Sequence, residues 1–315
     1  MSHALNEPRL SDPLAGVLPV FQTPFNDDES IDWATLEHEL HWLFDRGSNG
    51  VVFAMVSEIL RLSHDERRAM AEFVVRTVGG RGAVVISVGA ESSHTATALA
   101  RHAQDSGVTA LMAIPPLSVV LGHGELLAYY GKIIEAVTIP VIVQDASGYV
   151  GRPMPASLQA QILEQYGPQR VLFKPEATPI GPNLSALRDA TQGKARVFEG
   201  SGGIALVDSY RRGVIGTMPG ADLIEGIVAL WRALQSGDDQ LIYRLSLPIS
   251  SLVALQQGLD GFLAIEKYLL KRQGIFKNTV VRGPVGFRLD DETRDEVDRL
   301  FDQLTSAVQL TSTTN

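Results

Sequence analysis

Residues 83–114 read AVVISVGAESSHTATALARHAQDSGVTALMAI, and this stretch sets the architecture. An unbroken aliphatic run, Ala83–Val88, predicts a strand covered on both faces, as parallel strands are. Ser92–Ser106 opens on Ser/Thr caps and stops at Gly107, which predicts a helix. A second run, Ala110–Ile114, follows at once. Strand, helix and strand within about thirty residues form a parallel crossover unit.

The same alternation extends in both directions. Further strand candidates are Gly16–Phe21, Gly50–Ala54, Pro140–Gln144, Val171–Lys174, Arg196–Glu199 and Gly213–Thr217. Amphipathic segments separate them: Ile31–Arg46, Asp65–Val78, Gly124–Val137, Ala156–Gln165, Leu184–Thr191, Ile204–Arg212 and Asp222–Leu234. In the first of these, Trp33, Leu36, Leu40 and Leu43 recur at helical spacing, and Gly47 follows as a stop. Eight strand–helix pairs predict an α/β fold, a closed (β/α)8 TIM barrel. The alternative is an open doubly wound sheet. A dinucleotide-binding version of it needs a Gly-rich fingerprint after the first strand, and Phe21 is followed here by QTPFNDD. Beyond Ser236-Gly237-Asp238-Asp239 the pattern becomes helical, with Gln240–Leu255, Gly261–Gln273 and Asp291–Ser306 as helices and Arg282–Leu289 as a connecting loop. The expected division is an N-terminal extension over 1–13, a catalytic barrel over 14–235 and a C-terminal helical domain over 236–315.

The 315 residues are 45% hydrophobic and 20% charged, which is a globular rather than a disordered composition. A net charge of −9 with no basic stripe argues against nucleic acid as a partner. There are no cysteines, so disulfides, thiol catalysis and cysteine-ligated metals are excluded. The N-terminal segment lacks an apolar signal core and no run is long enough to span a bilayer, so a soluble cytoplasmic protein is expected. The seven histidines show no zinc spacing such as HExxH, and there is no G-x-S-x-G elbow. Neither a metal nor another cofactor is expected.

The lysines narrow the chemistry. Lys132, Lys194, Lys267, Lys271 and Lys277 fall in amphipathic helices or polar turns, where a solvated charge is the ordinary reading. Lys174 instead ends the sixth strand, after Val171-Leu172-Phe173, at the face where such barrels carry their active sites. Burial there disfavours the ammonium form, and a neutral amine can attack a ketone to form an imine. The competing reading is an ion pair between Lys174 and a barrel carboxylate such as Glu176 or Glu199.

Several segments carry a family resemblance. They are Thr23-Pro24-Phe25 after strand one, NGVVFAMVSEILRLSHDER at strand two, IPVIVQDASGYVG at strand five, FKPEAT at strand six, GSGG at strand seven and GVIGTMPG at strand eight. In order and spacing the chain resembles the dihydrodipicolinate synthase and N-acetylneuraminate lyase superfamily of class I, lysine-dependent lyases. The resemblance implies a barrel with a C-terminal helical domain, a homotetramer, and Lys174 as the imine lysine. The family's G-T-T-G-E stands here as Ala54-Met55-Val56-Ser57-Glu58, and the resemblance implies that the backbone of Met55, Val56 and Ser57 holds the keto-acid carboxylate.

The departures bear on the substrate. Gln144 stands where the family has a strand-five tyrosine, Pro115-Pro116-Leu117-Ser118 lacks the strand-four tyrosine, and Tyr149 stands where dihydrodipicolinate synthases have an arginine. Ser57-Glu58, Val143-Gln144-Asp145-Ala146 and Phe173-Lys174-Pro175-Glu176-Ala177-Thr178 are instead similar to L-2-keto-3-deoxyarabonate dehydratases. The expected reaction is dehydration of a 2-keto-3-deoxy sugar acid, with Lys174 and Glu58 as catalytic residues. Met55, Val56, Ser57, Gln144, Gly200, Ser201 and Met218 are the expected substrate contacts. A pyruvate-dependent aldolase and a non-catalytic keto-acid binding protein remain as alternatives.

Overall fold

A computed structural model describes residues 14–312 of the chain, so the stretch expected as an N-terminal extension lies outside the described residues. Eight parallel strands alternate with eight helices. The strands are β1 Gly16–Val17, β2 Gly50–Phe53, β3 Ala83–Ser87, β4 Ala110–Ala113, β5 Val141–Gln144, β6 Val171–Lys174, β7 Phe198–Glu199 and β8 Gly216–Thr217. β6 has the bounds of its apolar run; β1 to β4 stop before their runs end, and β5, β7 and β8 begin after theirs do. The interleaved helices are α1 Trp33–Asp45, α2 His64–Val78, α3 Ser93–Asp105, α4 His123–Glu135, α5 Ala156–Tyr166, α6 Ile180–Ala190, α7 Leu206–Arg211 and α8 Ile224–Ser236. Helix α6 begins four residues before the segment expected from Leu184. Pro179 is its N-cap and Pro182 lies in its first turn, and proline is tolerated at and just inside a helix start, where the amide has no helical acceptor.

Strands β2 to β6 pair in chain order, and β1 pairs with β8, which pairs with β7. Single parallel bridges, Val20 to Val52 and Phe173 to Val197, join the two sheets at both seams. The result is the (β/α)8 barrel. Its strands are buried throughout, apart from the half-buried Gly16, and Leu18, Val51, Phe53, Val85, Leu111, Ile142, Leu172 and Phe198 form a core closed to solvent. This is what continuous apolar runs require when helices cover the outer face. Caps fix the helix starts: the Asp32 side chain accepts from the Thr35 amide at α1, and Ser63 and Glu66 form a reciprocal capping box at α2.

Three more helices follow, α9 Asp239–Leu255, α10 Gly258–Arg272 and α11 Asp291–Ser312. Helix α9 packs on α8 and α11, and α10 lies against the turn at Met55–Ser57. That second contact brings a C-terminal helix to the barrel mouth. Among the described residues no helix is long and apolar enough to cross a membrane.

Candidate active site

Lys174 closes β6, and Glu176 lies two residues on. In extended backbone residues two apart share a face, so both side chains enter the barrel mouth together. The Lys174 Nζ donates to Glu176 Oε1 at 2.7 Å, and both side chains are almost fully buried. Gln144, at the end of the neighbouring β5 and in register with Lys174, donates through Nε2 to the same oxygen at 2.9 Å. Desolvation holds the Glu176 carboxyl above its ordinary range, while the Lys174 ammonium pulls in the opposite direction. Glu176 Oε2 has no partner among the described residues. Lys174 thus lines the cavity, and Glu176 beside it keeps one carboxylate oxygen unused.

Gly200 explains the small residue of the GSGG segment. A Cβ there would stand 2.7 Å from Lys174 Cε and 3.0 Å from Glu176 Oε1. The absent side chain lets the lysine and its carboxylate pack against the β7 turn. Ser201 is occupied otherwise: its amide donates to Glu199 Oε1 at 2.6 Å, its hydroxyl bonds the same oxygen, and Oγ accepts from the Ala205 amide at 3.0 Å. Ser201 shapes the turn rather than presenting its hydroxyl.

The cavity around Lys174 is lined by Val20, Ala54, Met55, Val56, Gln144 and Met218, with Tyr149 and Phe262 across it. Its free volume is about 10 Å³, room for a single water-sized sphere, so a bound sugar acid has to displace lining side chains. Met55 and Val56 open a single 3₁₀ turn, Met55–Ser57, and their amides donate to no acceptor among the described residues. Unused amides at a helical start attract a carboxylate. Ser57 works on the opposite side of the turn. Its hydroxyl donates to Phe21 O and accepts from the Ala54 amide at 3.2 Å, latching the turn to the segment that follows β1. Lys174, Met55, Val56, Gln144, Gly200 and Met218 thus come together, whereas Ser57 and Ser201 support the walls.

Glu58 does not join them. Its backbone is left-handed, with φ +59°, which swings the side chain toward α10. There Oε1 accepts from Lys267 Nζ and Oε2 from the Arg282 amide at 3.1 Å. The side chain is fully buried and both oxygens are engaged, so Glu58 is an anchor between the β2 loop and the helical layer, not a base beside Lys174. Lys267 also departs from the solvated reading. It is fully buried, donates to Thr23 O at 2.8 Å and Val280 O at 2.7 Å as well as to Glu58, and lies over the Phe25 ring. All three of its N–H groups are used, which separates it from Lys174.

The sequence from residue 13 to residue 304 matches the Dihydrodipicolinate synthetase family. The chain belongs to that family. Among relatives, the L-2-keto-3-deoxyarabonate dehydratase of Azospirillum brasilense is 26% identical over 293 residues, covering 90% of this chain and 92% of the relative. The 4-hydroxy-tetrahydrodipicolinate synthase of Bartonella bacilliformis is 24% identical over 290 residues, covering 90% and 96%. The crystal structure of dihydrodipicolinate synthase from Rhodopseudomonas palustris superposes with a TM-score of 0.84 at 25% identity, covering 93% of this chain and 98% of that one. Family membership makes the protein a Schiff-base lyase or aldolase.

Glu176, Tyr149, Phe262, Gly202 and Gly220 were not among the site residues expected from sequence. The period of two between Lys174 and Glu176 was a usable signal. For Tyr149 the signal was its place where dihydrodipicolinate synthases have an arginine; for Phe262, which reaches the cavity only through helix packing, the sequence offered none.

Proposed function

We propose that the protein dehydrates a 2-keto-3-deoxy sugar acid through an imine on Lys174, with Glu176 rather than Glu58 moving the protons. The observation that carries this reading is the 2.7 Å contact between the Lys174 amine and a buried carboxylate held above its ordinary pKa, beside a glutamine that cannot titrate. Glu176 accepts a proton from Lys174, leaving a neutral amine. The amine attacks the C2 carbonyl carbon, and the carbonyl oxygen, taking one proton from the amine and one from Glu176, leaves as water to give the protonated imine. The substrate carboxylate rests on the Met55 and Val56 amides. Glu176 in its ionised form then removes a C3 proton, and the electron pair enters the C2–C3 bond as an enamine. Reversal of that flow expels the C4 hydroxyl, which takes the proton from Glu176 and departs as water. Hydrolysis of the imine releases the product and restores Lys174. Gln144 holds Glu176 and orients it without exchanging protons.

Borohydride reduction with a panel of 2-keto acids, followed by peptide mass mapping, tests the first step. A reduced adduct on Lys174 is expected. Product analysis tests the second: dehydration keeps the carbon count, whereas an aldolase releases pyruvate that lactate dehydrogenase detects. An adduct without turnover would mark a binding protein. For assembly we propose a homotetramer. Val119, Val120 and Val150 are exposed around an apolar pocket with Pro115, Met154 and Leu158, a patch suited to burial by a second copy. Light scattering at micromolar concentration checks this.

A further inference from the structure

Tyr149 lines the Lys174 cavity from the loop after β5, and several restraints hold that loop in place. The amides of Tyr149, Val150 and Gly151 all donate to Ala146 O, at 3.1, 3.2 and 2.8 Å. Asp145 Oδ1 accepts from the Ser147 amide at 3.1 Å and from the Glu176 amide at 3.0 Å, tying the loop to the segment that carries Glu176. The Tyr149 ring meets Phe262 of α10 edge to face, with centroids 5.7 Å apart. The ring is therefore fixed from two elements, yet its hydroxyl donates to nothing among the described residues. An ordered phenol with an unused donor inside a catalytic cavity is a recognition group awaiting an acceptor.

The surroundings limit what that acceptor can be. Burial and the fields of Glu176, Glu266 and Glu199 push the phenol well above its ordinary pKa, so it stays neutral and donates. Glu199 is engaged by Ser201 and Thr217, Glu266 accepts from Gln22 through one oxygen, and neither carboxylate lines the cavity. Among the residues lining the cavity, Lys174 is the sole cationic side chain, and imine formation ties its charge to the C2 end of the substrate. An anionic substrate tail would thus find no cation of its own among the lining residues. A hydroxylated tail would meet a donor.

We propose that Tyr149 is the specificity-determining residue of the dehydration proposed above. Its hydroxyl donates to a tail hydroxyl at or beyond C4 and restricts the enzyme to 2-keto-3-deoxy acids whose far end is uncharged. A terminal carboxylate or phosphate is rejected for want of a partner cation. The assignment rests on the Lys174 imine reading, and its test separates the two.

Wild type, Tyr149→Phe and Tyr149→Arg are compared by borohydride trapping with pyruvate, and by turnover of 2-keto-3-deoxypentonate and of a 2-keto-3-deoxy aldarate bearing a terminal carboxylate. Wild type should favour the neutral-tailed acid by about 100-fold in kcat/KM, as expected where a charge is left without a partner. In Tyr149→Phe, kcat/KM for that acid should fall about 10- to 100-fold further than the rate of trapping by tail-less pyruvate. Tyr149→Arg should shift the preference toward the aldarate. An equal loss toward pyruvate and the sugar acid, or a wild type that prefers the aldarate, overturns the role of Tyr149 while leaving the imine intact. Absence of any wild-type adduct on Lys174 overturns both.

Discussion

Glu39→Gln is expected to stabilise the protein at alkaline pH. Glu39 lies on the inner face of α1, fully buried. One oxygen accepts from the Gln22 amide at 2.9 Å, and the other has no partner among the described residues. Desolvation raises its pKa from 4.5 to about 8, with the Gln22 amide and the Lys267 charge pulling the other way. It belongs to a buried set with Glu266 and with Asp222, whose pKa is raised to about 6. The native state therefore keeps a proton that the unfolded chain releases. The favourable contribution is complete below pH 4.5 and is lost as pH rises through about 8, a swing of about 5 kcal/mol at most. Glutamine keeps the shape and the acceptor for Gln22, and it cannot ionise. Its amide hydrogens impose a pH-independent cost of about 1 kcal/mol where the unpartnered oxygen was. The variant should be slightly less stable than wild type at pH 5 and more stable by several kcal/mol at pH 8.5. Urea unfolding followed by tryptophan fluorescence, at fixed protein concentration from pH 5 to 8.5, measures both curves. Parallel curves would show that Glu39 does not hold a proton in the native state, and the argument would fail.

Glu176→Gln should still trap 2-keto acids on Lys174 but lose about 10²- to 10⁴-fold in turnover, measured by steady-state kinetics. Because the carboxyl is held above its ordinary range and acts ionised at C3, wild-type kcat should rise with pH through a value above 4.5, and Glu176→Gln should abolish that limb. Gly200→Ala should cost about 1–3 kcal/mol in stability and suppress adduct formation, because its methyl meets Lys174 Cε at 2.7 Å; calorimetry and trapping read the two effects. Lys267→Met should lower stability by about 3–5 kcal/mol by stranding the Glu58 charge, and Glu58→Gln combined with it should restore part of the loss in urea melts.

The barrel was legible because its signal is local. A strand such as Ala83–Ser87, buried on both faces, has to be apolar at every position, and a run of that kind between capped helices has few other uses. Lys174 was legible for the same reason, as a charge placed where such a strand ends. The errors arise where a role depends on which way a side chain turns. Ser57-Glu58 stands beside the carboxylate-binding turn in sequence, but a left-handed residue sends Glu58 away from the cavity and into α10. Lys267 looked solvated because helical charges usually are, although Phe262, Leu263, Leu269 and Leu270 surround it with apolar positions on more than one face of the helix. Glu176 was visible as an ion-pair partner, and the pairing was set against catalysis. The proposed mechanism needs no such opposition. In it a carboxylate 2.7 Å from the amine, with an oxygen to spare, both holds the ammonium and takes its proton, and the ion pair is the resting form of that couple. What decides between a structural and a chemical salt bridge is then not the contact but what remains unused around it: at Lys267 every donor is spent, and at Glu176 an acceptor is left over.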